Sequence, residues 1–262
     1  MLRRVLACTL VILGSAAIIG LGAETFPYDH MHLNAPDPAI AVAWYRTNLG
    51  AKNGAAPDRV VFGRTIFAFA KLENAPPSAG GAVDHVGISV ADVAAKIKEL
   101  QAAGAKVIAP ARDVAGLPKA GFVQDPFGIK IEILQDPEMQ GFHHIHLRVP
   151  DPEASLKWYV ENFGGERLKW KGRLDAVKYA NPAVLLLAEK DEHAAPSQGR
   201  AIDHLGWAVT AVDAKIGDLA AKGLKTVEPR AVRNLRVAFV EGPGGVRIEM
   251  VQGRTEEELT GR

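Results

Sequence analysis

The chain has almost no cysteine. Of its 262 residues only Cys8 is one, and it lies inside an apolar N-terminal run. The remainder can therefore form no disulfide, thiolate metal site or cysteine nucleophile. An excess of charge of one sign is missing too, with 31 Lys and Arg against 30 Asp and Glu. The basic residues are interleaved with acids along the chain, which removes the electrostatic basis for binding nucleic acid. Long apolar runs are absent except for one. Arg3 and Arg4 precede Val5 to Gly22, which ends in small residues before the first acid, Glu24. That pattern reads as a secretory signal over residues 1–23, with an uncleaved single-span anchor as the alternative. Cys8 sits within the run, where a lipid-attachment cysteine would close it. The expectation is an exported protein, periplasmic or secreted, touching a membrane only through that segment if it is retained. Oligomeric state is left open.

What the chain has in abundance is repetition. DHMHLNAPDPAIAVAWYRTNLGA (Asp29 to Ala51) returns as HHIHLRVPDPEASLKWYVENFGG (His143 to Gly165), and VDHVGISVADVAAKIKELQAAGAK (Val83 to Lys106) returns as IDHLGWAVTAVDAKIGDLAAKGLK (Ile202 to Lys225). Each of the four quarters opens with a histidine on an alternating strand and continues into a helix and further strands. Pro38 and Pro152 mark helix starts, and Gly50, Gly104, Gly164 and Gly223 mark stops. Strands are expected at Lys106 to Ile108, Gly121 to Gln124 and Ile129 to Leu134, and at Lys225 to Val227, Val237 to Glu241 and Val246 to Val251. The fold class is α+β, four βαβββ modules paired into two cups. The natural division is residues 27–136 and 141–252, joined by a linker from Asp136 to Gly141 and followed by a polar tail, residues 253–262.

This grammar resembles the vicinal oxygen chelate superfamily, of the glyoxalase, bleomycin resistance protein and dioxygenase type. The residues that carry the resemblance are His30…Trp44-Tyr45…Gly50 and His144…Trp158-Tyr159…Gly164, the DH-x-G and DH-L-G strands, and Asp125-Pro126-Phe127-Gly128…Glu132. It implies a divalent metal on the floor of each cup, held by first-strand histidines and last-strand carboxylates. Carried over by position, the ligands are His30, His85 and Glu132 in the first half and His144, His204 and Glu249 in the second. Two imidazoles and one carboxylate favour Fe(II) or Mn(II), with Zn(II), Ni(II) and Co(II) as alternatives, and leave positions for a small substrate that chelates through neighbouring oxygens. His32 and His146 follow two residues later and face the same way on a strand, as proton-transfer residues or further ligands. His143 faces away and has a structural part.

Departures from the family pattern narrow the chemistry. The strand that would bring glyoxalase I its second carboxylate reads TIFAFAK (Thr65 to Lys71) or NPAVLLLA (Asn181 to Ala188), without Glu or Gln inside it. Phe239 and Asn181-Pro182 stand where extradiol dioxygenases have a tyrosine and a histidine, and His146 or His193 would have to substitute. The reading is a metal-dependent lyase, isomerase or dioxygenase acting on a small molecule, with neither catechol cleavage nor glutathione-dependent isomerisation expected. A bleomycin-resistance-like binding protein without chemistry is the alternative.

Overall fold

The computed structural model describes residues 24–180 and 183–260. Residues 1–23, expected to be a secretory signal, and the Asn181-Pro182 pair lie outside the described residues. Among the described residues no helix is long and apolar enough to cross a membrane.

The four modules follow in order. Module 1 is β1 (Tyr28–Ala35), α1 (Pro38–Leu49), β2 (Lys52–Asn53), β3 (Arg59–Phe62) and β4 (Thr65–Lys71); module 2 is β5 (Val83–Ser89), α2 (Val93–Ala102), β6 (Lys106–Val114), β7 (Leu117–Gln124) and β8 (Lys130–Leu134). Module 3 is β9 (Gly141–Val149), α3 (Pro152–Phe163), β10 (Glu166–Trp170), β11 (Leu174–Ala180) and β12 (Ala183–Lys190); module 4 is β13 (Ile202–Ala208), α4 (Val212–Ala221), β14 (Thr226–Val232), β15 (Leu235–Glu241) and β16 (Arg247–Gln252). The polar tail adds a short helix, α5 (Glu256–Thr260).

Local chemistry explains the helices. Asp37 accepts hydrogen bonds from the amides of Ala39 and Ile40, and Asp151 from that of Ala154, so each D-P pair supplies an N-cap followed by a proline that has no amide to satisfy. Gly50 ends α1 in the left-handed conformation (φ 72°). The hairpins β6–β7 and β14–β15 run further than the sequence indicates, because they alternate exposed and half-buried residues and have little apolar pattern to show. Their pairing partners decide their length.

The modules pair across the two halves and not within them. One sheet has the order β14-β15-β16-β13-β1-β4-β3-β2 and the other β10-β11-β12-β9-β5-β8-β7-β6. Module 1 therefore shares a cup with module 4, and module 2 with module 3. The two modules of each half meet instead through helices and the convex faces of the sheets. Trp44 Nε1 donates to the Ala103 carbonyl, 2.8 Å, at the end of α2, and the Tyr45 hydroxyl donates to Asp125, 2.8 Å, before β8. In the second half Trp207 is fully buried, stacked on Phe163 of α3 at 4.8 Å and met edge-on by Tyr28 of module 1. One continuous apolar core thus reaches all four modules. The concave faces of the sheets carry separate, smaller apolar groups: Val61, Ile66 and Ala68 on one, and Ala176, Leu185 and Leu187 on the other.

Candidate metal centres

β1 and β13 run antiparallel at the middle of the 1/4 cup, with His30 opposite Gly206 and His32 opposite His204; β5 and β9 repeat this with Gly87 opposite His144 and His85 opposite His146. Each sheet carries two bulges at this seam, and the extra residues are Asp29, Asp203, Asp84 and His143. A bulge turns two consecutive side chains toward the same face. That is why the residue before each first-strand histidine, which ideal alternation would send to the opposite face, reaches the ring. Asp29 Oδ2 is 2.7 Å from His30 Nδ1, Asp84 Oδ1 is 2.7 Å from His85 Nδ1, and Asp203 pairs with His204 Nδ1. His143 takes the same place at His144, with the two Nδ1 atoms 2.9 Å apart, and is anchored in turn by Asp136 at 3.2 Å.

These contacts orient the opposite ring nitrogens. In the 1/4 cup Glu249 Oε2 lies 3.2 Å from His30 Nε2 and 2.8 Å from His204 Nε2. In the 2/3 cup Glu132 Oε2 lies 3.2 Å from His85 Nε2 and 3.3 Å from His144 Nε2. The expected ligands therefore meet in a different grouping. His30 joins His204 and Glu249, His144 joins His85 and Glu132, and the two halves each contribute to both centres. The correction follows from the sheet order, since a first-strand histidine can approach only residues of the module hydrogen-bonded beside it.

The donor chemistry fits a divalent cation. An imidazole whose Nδ1–H is held by a carboxylate presents a lone pair at Nε2. Pointing two such lone pairs at one carboxylate oxygen is repulsive unless a proton or a cation intervenes. Without a cation the proton fills the gap: burial opposes charge on His30, but the carboxylates of Asp29 and Glu249 outweigh it and raise its pKa to about 9. Burial likewise opposes ionisation of Glu249 and Glu132, yet the adjacent imidazoles hold both well below the usual carboxylate range. The buried Nε2 of His144 makes no hydrogen bond although Glu132 is within reach, which suits an atom waiting to coordinate. Ligand atoms of His30, His32, His204 and Glu249 all lie within 4.8 Å of one another, as do those of His85, His144 and His146.

His32 and His146 face the cups as their spacing predicts. His32 stacks on His204 at 4.4 Å between centroids and 13° between planes, and His146 on His85 at 4.5 Å and 26°. Burial, then the charge of His204, depresses the pKa of His32, and burial, then His85, lowers that of His146. Both rings are neutral near pH 7. His146 Nε2 is also 3.3 Å from Glu189. His193 stands on an exposed turn away from either group.

The cups differ in their walls. A cavity of about 380 Å³ opens over the 1/4 centre, bounded by Arg59, Arg230, Arg233, Arg247 and Arg254 beside Phe239. The 2/3 cavity, about 170 Å³, has Leu117, Phe122, Trp170, Leu174 and Leu187 around a single arginine, Arg112. The preceding aspartates and the arginine ring are the functional features that the sequence reading missed. The Asp-His dipeptide, present three times, marked the first, whereas the arginines come from three separate strands, a hairpin turn and the tail and left no local mark.

The family model described as Glyoxalase/Bleomycin resistance protein/Dioxygenase superfamily matches residues 28–133 and 141–250. A protein of Arabidopsis thaliana described as probable lactoylglutathione lyase, chloroplastic, is 35% identical over 92 residues, covering 34% of this chain and 26% of that protein. Among solved structures, glyoxalase I from Zea mays superposes with a TM-score of 0.72 at 20% identity, covering 87% of this chain and 93% of that one. A putative dioxygenase from Bacillus subtilis gives 0.60 at 15% identity, covering 91% and 89%. Both structural likenesses speak for the fold. With matches over both tandem segments, the chain belongs to the glyoxalase/bleomycin resistance protein/dioxygenase superfamily.

Proposed function

We propose that the protein is an exported, metal-dependent enzyme of this superfamily whose 1/4 cup acts on a small anionic substrate bearing two neighbouring oxygens. The observation that carries the reading is the juxtaposition, in one cavity, of a buried three-imidazole, one-carboxylate group with five arginines. Three of those guanidinium groups are already engaged: Arg59 by Asp58 at 2.8 Å, Arg247 by Asp203 at 3.0 Å, and Arg254 by Asp29 at 2.9 Å. Arg230 and Arg233 have no carboxylate within salt-bridge distance among the described residues. A carboxylate or phosphate of the substrate is the partner they lack.

His30, His204 and Glu249 would hold the ion, with Asp29 and Asp203 fixing ring orientation. A divalent cation there supplies Lewis acidity, stabilising negative charge that develops on substrate oxygens. The chain's own residues do the rest. Arg230 and Arg233 bind the anionic end, and Phe239, which meets His204 edge-on at 5.3 Å and carries the Arg247 guanidinium over its ring at 4.1 Å, forms part of the wall. An exported protein meets little glutathione, so a small hydroxy or keto acid suits this cup better than a glutathione adduct.

The test is metal analysis of residues 24–262 prepared anaerobically, followed by turnover and binding assays with small 2-hydroxy and 2-keto acids. A bound divalent ion and a KM raised at least about tenfold by Arg230→Gln with Arg233→Gln, as expected on losing two charge-assisted contacts, support the reading. Absence of metal, or tighter binding of neutral diols than of acids, would sink it. The narrow apolar 2/3 cup is the part of the molecule that favours ligand sequestration without chemistry.

A further inference from the structure

Two rows of side chains cross the floor of the 1/4 cup. Along β16, β13, β1 and β4 one row reads Glu249, Gly206, His30, Ile66 and the next Arg247, His204, His32, Ala68. Interchanging the two modules turns one row into the other, so that His30 corresponds to His204 and the pair Gly206/Glu249 corresponds to His32/Ala68. On the module 4 side the first strand carries no side chain at that point, because a Cβ on Gly206 would overlap the ring of His30. The last strand sends a long carboxylate. The module 1 side inverts this arrangement: Ala68 is too short to reach anything, and the imidazole comes from the first strand. The 2/3 cup contains the same inversion, with Gly87/Glu132 on one side and His146/Leu187 on the other.

A donor thus appears on the first strand in the two places where the last strand offers none, and it is aimed at the same group. We infer that His32 is the fourth protein ligand of the cation in the 1/4 cup, replacing a carboxylate that β4 lacks; His146 stands at the equivalent place in the 2/3 cup, where His85, His144 and His146 converge. The inference rests on the metal reading above and goes beyond it. It selects, for His32, the ligand role over the proton-transfer role, both of which its spacing had allowed. It also defines the ion: three imidazoles and one carboxylate favour Fe(II), Co(II), Ni(II) or Zn(II) over the oxygen-seeking Mn(II) and Mg(II). Four protein donors leave a six-coordinate ion two positions, the number needed by two neighbouring oxygens. His32 is the better residue to test, since His146 has a rival partner in Glu189.

The experiment loads the full mature chain with Co(II) and follows exchangeable, paramagnetically shifted imidazole N–H resonances together with affinity in a chelator competition. Wild type should show such resonances for three imidazoles in the 1/4 cup. His32→Ala should lose one set and weaken one of the two sites by about tenfold or more, while the 2/3 site serves as an internal control for folding. The double variant His32→Gly, Ala68→Glu returns the carboxylate to β4 and should recover affinity without recovering the resonance. Unchanged resonances and affinity in His32→Ala would overturn the inference while leaving the metal reading intact. Wild type that takes up no Co(II) overturns both.

Discussion

Single residues divide the two halves of this duplication more sharply than their shared motifs suggest. Tyr45 and Tyr159 occupy equivalent places in α1 and α3, and both are fully buried. The Tyr45 hydroxyl donates to Asp125, whereas the Tyr159 hydroxyl has no hydrogen-bond partner among the described residues, because the turn that carries Asp125 in module 2 carries Gly242 in module 4. Tyr45→Phe should therefore destabilise by about 1–3 kcal/mol, leaving Asp125 short of a donor, while Tyr159→Phe should be neutral or stabilising. Chemical denaturation of the two variants checks the contrast. Asp125 also gives a pH signature. Burial raises its carboxyl from 3.8 to about 7, against the amides of Ile129 and Phe127 and the Tyr45 hydroxyl, which favour the ionised form. A group whose pKa is higher in the folded than in the unfolded chain adds stability below the unfolded value and loses it as pH rises through the folded one. This part of the stability should fall between pH 4 and about 7 by at most a few kcal/mol, and Asp125→Asn should flatten the decline measured by thermal melts. Gly206 makes a third case. Gly206→Ala should displace His30, remove one bound ion per chain in metal analysis, and cost about 1–3 kcal/mol through overpacking.

At the level of elements, the bulges and the outer hairpins matter most. The bulges recruit Asp29, Asp84 and Asp203 to the cups, so a motif of two adjacent residues becomes a candidate ligand and its support. The β14–β15 hairpin brings Arg230 and Arg233 over the 1/4 centre. Arg233 holds the turn with φ 54°, a left-handed conformation that costs a side chain about 1 kcal/mol and glycine almost nothing. Arg233→Gly should leave stability unchanged or slightly higher while weakening binding of an anionic ligand. Calorimetric melting and ligand titration on the same variant separate the two effects, and a variant that loses both stability and binding would show that the arginine supports the hairpin.

For the molecule as a whole, the crosswise assembly makes each centre the joint property of both halves. His30→Ala and Glu249→Ala should abolish the same ion, and Glu132→Ala a different one, although His30 and Glu132 lie in the same sequence repeat. Combining His30→Ala with Glu249→Ala should remove no more metal than either alone, and combining His30→Ala with Glu132→Ala should remove both ions. Stoichiometry by metal analysis decides between this pattern and one in which each half has its own site. A fragment ending at residue 136 lacks the partner of both its modules. It should bind an ion only as a dimer, and a monomeric, metal-binding fragment would contradict the crosswise assembly.

The sequence by itself determined the modules. Proline and glycine delimit α1 and α3, the two-residue period places His30 and His32 on one face, and the repeats establish that four similar units exist, because these features depend on chain neighbours alone. Through the family resemblance it also singled out His30, His85, Glu132, His144, His204 and Glu249 as candidate donors. Only the tertiary structure decided which donors share a cup. All four modules offer nearly equivalent strand edges, so module 1 could pair with module 2 or with module 4, and no local pattern distinguishes the two. The two modules of each half are packed through helices and convex faces into one core, around contacts such as Trp207 on Phe163 and Tyr45 on Asp125, which leaves their first-strand edges to pair across the halves. The arginine ring of the 1/4 cup follows from that choice, because residues from modules 1 and 4 face one another only when those two modules close the same sheet.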